Sequence, residues 1–367
     1  MSAPTEPDGA EGVARKGAVR KGLLMVGVAL AAILLSVLAL SKTEIAADEI
    51  ATLWEQANAP LLVTSLLMMT LAMPILALRW RALIPGGEKV GVFGLTGIFS
   101  AGLLLNYALP GPVGEFAAAV LVQRRYGIPA EKALAGGVYA RFLGLATAGA
   151  MAGLAWGFGD LPVPEEYESL VGGAALCIAL GAAALGVLAF RPTLLRQISQ
   201  NINGRLGHGL PGLLGRAFTR LDELVARFAL AMAQVGKLGV KPYLMAVFWS
   251  MVAHLNVGAS IVLGAHALGL EPSIAGVVFT YCAATAAVVA LFALPGGQLG
   301  FDAVFATFFT VTTGVDLPGA LAMTLVVRVQ QMIMLVIGAA ALPLVERGAP
   351  PLNPGTSPPD PASRPPG

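Results

Sequence analysis

The sequence predicts an all-α polytopic membrane protein built as an inverted repeat, each half with a broken re-entrant helical hairpin. Three observations carry that expectation. The 367 residues are 56% hydrophobic and 12% charged, with a mean hydropathy of +0.77, whereas soluble domains are roughly one-quarter charged. Two Pro/Gly breaks closed by a carboxylate interrupt apolar stretches, NYALPGPVGE at Asn106–Glu115 and ALPGGQLGFD at Ala293–Asp302. The chain then continues in register: GIPAEKALAGGVYAR (Gly127–Arg141) matches GVDLPGALAMTLVVR (Gly314–Arg328) at Gly, at Ala-Leu-Ala and at the terminal Arg. Self-similarity of this kind marks a chain assembled from two related halves.

Residues 1–21 read as a disordered basic cytoplasmic N-terminus and 22–40 as a first transmembrane helix. Its uncharged run is longer than the roughly 7–15 residues of a signal-peptide core, so an uncleaved span is expected. The first membrane repeat covers 61–157, with spans at Leu61–Leu78 and Lys132–Gly157 around a broken segment, Val90–Gly127. A connecting span follows at 169–190. Residues 191–241 form a cytoplasmic linker in which Pro211–Lys237 places Leu214, Phe218, Leu221, Val225, Phe228 and Met232 on one helical face. The second repeat, 242–345, has spans at Tyr243–Leu268 and Leu317–Val345 around the broken segment Ser273–Gly314; 346–367 is a disordered Pro-rich tail. In both broken segments the second arm is expected to have only about 12–14 residues, short of the roughly 20 that cross a 30 Å hydrocarbon layer.

Lys and Arg set the orientation. With both termini cytoplasmic, Arg79, Arg81, Lys89, Arg124, Arg125, Lys132, Arg347 and the basic residues of the linker fall inside, and Lys42 falls outside. Lys89 and Arg124 then flank the first hairpin from inside, and Glu271 and Asp316 flank the second from outside. Trp80, Trp54 and Trp156 read as interfacial anchors. The competing geometry, two full crossings joined by a short turn, preserves the same sidedness.

Arg141 and Arg328 fall near mid-membrane, where an arginine costs about 2.5 kcal/mol or more unless it faces a cavity or a partner. A guanidinium suits bidentate phosphate contact; pairing with Glu115 and Asp302 is the structural alternative. Those carboxylates are placed in the first turn of their arms, as helix caps or as exchangeable proton sites. Gly111, Gly114, Gly296, Gly297 and Gly300 shape the breaks, whose helix N-termini favour anions. Asn106 is expected to hydrogen-bond the broken backbone or a ligand. His254, with Ser250 and Asn256, is either satisfied inside the bundle or joins Glu115 and Asp302 in proton coupling, and Gln330 and Gln331 extend the polar lining. The two cysteines and three histidines have no metal-ligand spacing, and no catalytic motif, cofactor site or nucleic-acid-binding pattern is visible.

At Asn106, Pro110-Gly111, Gly114-Glu115 and Arg141, and again at Pro295-Gly296-Gly297, Gly300, Asp302 and Arg328, the chain resembles the flippase-like membrane family that includes the membrane portion of lysylphosphatidylglycerol synthases. The resemblance runs from about Leu61 to Val345. It implies translocation of a lipid with an anionic headgroup between leaflets of a bacterial inner membrane: an aminoacylated phospholipid, a glycolipid or a polyprenyl-linked lipid. Three departures stand out. Gly144 replaces an acid common three residues after the arginine, Ala118 stands where a base often follows Gly-Glu, and Asp302 replaces a usual Glu. The chain leaves no room for the soluble aminoacyl-transfer domain of bifunctional members, so it is expected not to synthesise the lipid. A second reading is a non-transporting partner of an envelope-lipid biosynthetic enzyme, and homo-oligomers are compatible with either.

Overall fold

A computed structural model describes residues 47–108, 113–191, 227–291 and 297–347. All regular structure in them is helical. In chain order the helices are α1 (Ala47–Glu55), α2 (Ala59–Leu83), α3 (Val92–Ala108), α4 (Val113–Tyr126), α5 (Ala130–Phe158), α6 (Glu168–Phe190), α7 (Val240–Ala267), α8 (Ile274–Leu291), α9 (Gly297–Thr313) and α10 (Leu317–Arg347). Among the described residues, five stretches are long and apolar enough to cross a membrane: Ala59–Leu83, Ala130–Phe158, Glu165–Ala184, Val240–Ala267 and Leu317–Met334. These coincide with the five expected spans between residues 61 and 345. The expected first helix, 22–40, and the tail lie outside the described residues.

Helix α2 begins where Asn58 caps it: the side chain accepts Leu61 N–H at 3.2 Å, and Pro60 sits in the first turn, where its missing N–H costs nothing. The packing of α2 on α7 forms the centre. Asn58 N–H donates to Ala267 O at 2.7 Å, Ser65 and Ser260 exchange hydroxyl-to-carbonyl bonds at 2.7 and 2.8 Å, and Asn256 donates to Met68 O at 2.7 Å. Partner numbers fall as α2 numbers rise, so the two helices run antiparallel. Around them Ile261, Met323 and the stacked Phe301, Phe305 and Phe309 fill a core in which all but Phe301 are without solvent access.

Each half also holds an antiparallel helical pair. In the first, Tyr126 OH donates to Gly91 O at 3.3 Å at the open end of α3 and α4, and Gly102 faces Gly114 near the other end. A Cβ on Gly114 would lie 1.8 Å from Gly102 O. In the second, Ser273 N–H donates to Thr313 O at 3.0 Å, and the hydroxyls of Thr280 and Thr312 meet at 3.0 Å. Pairings recur across the halves: α3 packs on α10 as α8 packs on α5, and α4 packs on α5 as α9 packs on α10. Gly127 and Gly314, which close the two hairpins, both have left-handed φ, 69° and 79°.

The helix lengths correct one expectation. The arm α4 has 14 residues, but α9 has 17, about 25 Å at 1.5 Å per residue. The linker helix is described only at 227–236; there Met232 is 1% exposed in a cluster with Tyr139 on α5, and Arg227 pairs with Glu131 at 3.5 Å. On the outside, Val63, Leu67 and Leu71 of α2 and Leu244, Phe248, Met251 and Leu255 of α7 are exposed. Those are helical stripes suited to acyl chains.

Candidate functional site

The two mid-helix arginines occupy the same position, the twelfth residue of α5 and of α10, about 17 Å from the helix start. Each meets the carboxylate of its own hairpin: Arg141 Nη2 donates to Glu115 Oε1, and Arg328 Nη2 to Asp302 Oδ2, both across 26 residues of chain. The environments differ. Arg141 and Glu115 are 36% and 27% exposed, Arg328 and Asp302 only 4% and 18%. Arg328 Nη1 also donates to Gln331 Oε1 at 3.5 Å.

Asn106 joins the ends of the first hairpin. Its Oδ1 accepts Gly114 N–H at 2.7 Å, and its Nδ2 donates to Glu115 Oε1 at 3.3 Å. One side chain thus satisfies an N–H at the start of α4 and orients the carboxylate facing Arg141. That N–H is therefore already engaged within the chain. Glu115 lies in the first turn of α4, as expected. Asp302 does not: α9 starts at Gly297, so Asp302 is its sixth residue and is held by Arg328 rather than by the helix end. Gly300 lies in the first turn of α9. Gly111 and Gly296, with Pro110, Pro112 and Pro295, lie outside the described residues.

A cavity of about 110 Å³ opens between α2, α3, α4 and α5. Its charged lining residues are Glu115, Arg141 and Arg79; Trp80, Phe99 and Leu103 provide apolar wall. Arg328 and Asp302 do not line it. Arg79 departs from its expected place among interfacial charges. It stands one turn before the end of α2, yet its guanidinium reaches inward to α5, where a Cβ on Gly144 would lie 2.3 Å from Nη1. Its Nε is buried without a hydrogen-bond partner, and among the described residues it makes no ion pair. Trp80 is likewise no interfacial anchor: it is 5% exposed and its Nε1 donates to Ala133 O at 2.9 Å. Residues two apart on a helix point about 200° away from each other, so Arg79 and Arg81 cannot share a direction. Arg81 takes the outward one, donating to Gly87 O and Glu88 O at 3.1 Å. That spacing was the available signal for Arg79.

His254 approaches the same α5 turn from α7, with Nε2 2.9 Å from Gly144 O and 3.2 Å from Thr147 Oγ1. Nε2 therefore carries the proton toward the carbonyl, while Nδ1 is buried with no partner. Ser250 bonds Ala246 O on its own helix, and Gln330 Nε2 donates to Ser65 Oγ at 2.6 Å, away from this cavity. Among the described residues no group of acidic, histidine or cysteine side chains has the arrangement of a metal site.

Fold and site together define a polytopic α-helical membrane protein with an arginine–carboxylate pair inside each half. Residues 24–339 match the family of the lysylphosphatidylglycerol synthase TM region, and the chain belongs to that family, which ties it to lipid metabolism. No curated protein and no solved structure matches it.

Proposed function

We propose that this protein translocates a lipid with an anionic, phosphate-bearing headgroup between membrane leaflets; an aminoacyl-phospholipid, a glycolipid and a polyprenyl-phosphate-linked lipid all fit. The single observation that carries the reading is the Arg–carboxylate pair repeated inside both halves, across the same chain separation and at the same helix depth. A buried pair is poor evidence of stability, since its desolvation offsets much of its attraction. Two such pairs at matching places fit an exchangeable counterion: the headgroup phosphate replaces a carboxylate on the guanidinium, then leaves when the carboxylate returns. The acyl chains remain in lipid while the head crosses.

The halves are read as an inverted repeat with re-entrant hairpins. The antiparallel α2 and α7 support it, as do the 14-residue arm α4 and the matched pairings between halves. Movement is downhill or ion-coupled in this reading, since no nucleotide-binding motif is visible in the sequence. Glu115, Asp302 and His254 are the groups placed to accept a proton in an ion-coupled cycle. In this reading the protein moves a finished lipid in the inner membrane and performs no covalent step.

The test is reconstitution in vesicles with headgroup-labelled lipids of the three classes, scoring loss of label to a membrane-impermeant quencher. Wild type is expected to move at least one class, and the Arg141→Ala, Arg328→Ala variant to be at least tenfold slower. Folded wild type that moves none of them replaces transport with the non-transporting partner role.

A further inference from the structure

Arg79 is the one charged group of the first-half cavity that the paired-arginine reading leaves unused. Three charges line the cavity, two guanidinium and one carboxylate, so it carries one surplus positive charge. A buried guanidinium is costly without an anion. An arginine one turn from a helix end has the reach to extend into the aqueous boundary; this one lies against Gly144 instead, its Nε dehydrated and unbonded. The second half has no equivalent. Arg79 stands four residues before the end of α2, and the residue at that place in α7 is Leu263, which is uncharged; Arg328 is 4% exposed.

We propose, building on the translocation reading, that the first-half cavity is the binding site and that it holds one lipid-borne phosphodiester between Arg79 and Arg141. A phosphodiester has two non-bridging oxygens, one for each guanidinium, and a single negative charge that balances the surplus. A phosphomonoester dianion overshoots it. Trp80, Phe99 and Leu103 line the same space and receive the first carbons of the glycerol and acyl chains. Asn106 holds Glu115 beside the site, where that carboxylate alternates with the phosphate on Arg141. The Arg328–Asp302 pair takes no part in this bound state.

Native mass spectrometry of the detergent-purified full chain titrated with phosphatidylglycerol tests this. Diacylglycerol serves as the uncharged control, phosphatidic acid at pH 9 as the dianion, and glycerophosphoglycerol as the same diester without acyl chains. Wild type is expected to prefer phosphatidylglycerol over all three by about tenfold or more, and Arg79→Gln to lose about tenfold of that affinity. Arg328→Gln is expected to change it less than twofold. Gly144→Asp brings a carboxylate against the intact Arg79, whose flexible end borders the cavity, and is expected to reproduce the loss should Arg79→Gln fold poorly. Wild type that binds phosphatidylglycerol no better than diacylglycerol overturns this inference, while the translocation reading stands or falls on the vesicle assay with all three lipid classes. Wild type with the preference, unaltered in folded Arg79→Gln and Gly144→Asp, overturns this inference alone. Equal affinity for glycerophosphoglycerol overturns the assignment to a lipid.

Discussion

Arg141 of α5 donates to Glu115 of α4, and the same carboxylate oxygen accepts from Asn106 of α3. Three helices of the first half therefore meet at one atom. The equivalent pair in the second half, Arg328 with Asp302, is less exposed.

That difference in exposure sets different energetic roles. Asp302→Asn takes the carboxylate charge from a nearly inaccessible guanidinium and is expected to destabilise by about 3–5 kcal/mol. Glu115→Gln leaves a guanidinium that water still reaches and is expected to cost about 1 kcal/mol. Thermal unfolding in detergent checks the order. An equal shift for the two variants contradicts it.

Gly114 is expected to tolerate no side chain. An added Cβ would lie 1.8 Å from Gly102 O and 2.5 Å from Asn106 Oδ1, and the carbonyl belongs to a helix with no slack. Gly114→Ala is expected to cost about 3 kcal/mol or more, with loss of the Asn106 bonds. Gly153→Ala on α5, where no atom lies within 4 Å, is expected to gain about 0.5–1 kcal/mol from helix propensity. The same melting assay reads both.

Asn106→Ala removes the acceptor of Gly114 N–H and a donor to Glu115. About 1–2 kcal/mol of stability is expected to go with them. Hydrogen exchange of the Gly114 amide should quicken by about tenfold or more; unchanged protection there means that another group holds it.

Opposite insertion of the hairpins predicts opposite sidedness of their feet. In a Cys177→Ser background, with buried Cys282 retained, Glu88→Cys beside the first hairpin is expected to react with an impermeant maleimide only after cells are opened. Glu271→Cys beside the second, and Glu165→Cys, should react in intact cells. Labelling of Glu88→Cys and Glu271→Cys from one side rules out the inverted arrangement.

The five spans were legible in the chain because a bilayer requires about twenty consecutive apolar residues, a demand that composition alone reveals. The match of Gly127–Arg141 with Gly314–Arg328 was legible too, and its closing glycines, Gly127 and Gly314, share the left-handed φ that such a turn requires. Glu115 and Asp302 were foreseeable counterions for Arg141 and Arg328, because a mid-membrane guanidinium has few alternatives. The spacing of Arg79 and Arg81 showed that they diverge but not which one turns inward: a place near a helix end suits both the boundary and the interior, and the space left by Gly144 on another helix decides between them. The same holds for the contact of Gly102 with Gly114, the extra turn before Asp302, and the Ser65–Ser260 seam. Each depends on how two distant helices approach. Helical periodicity describes one helix at a time, so only the packed tertiary structure settles such contacts.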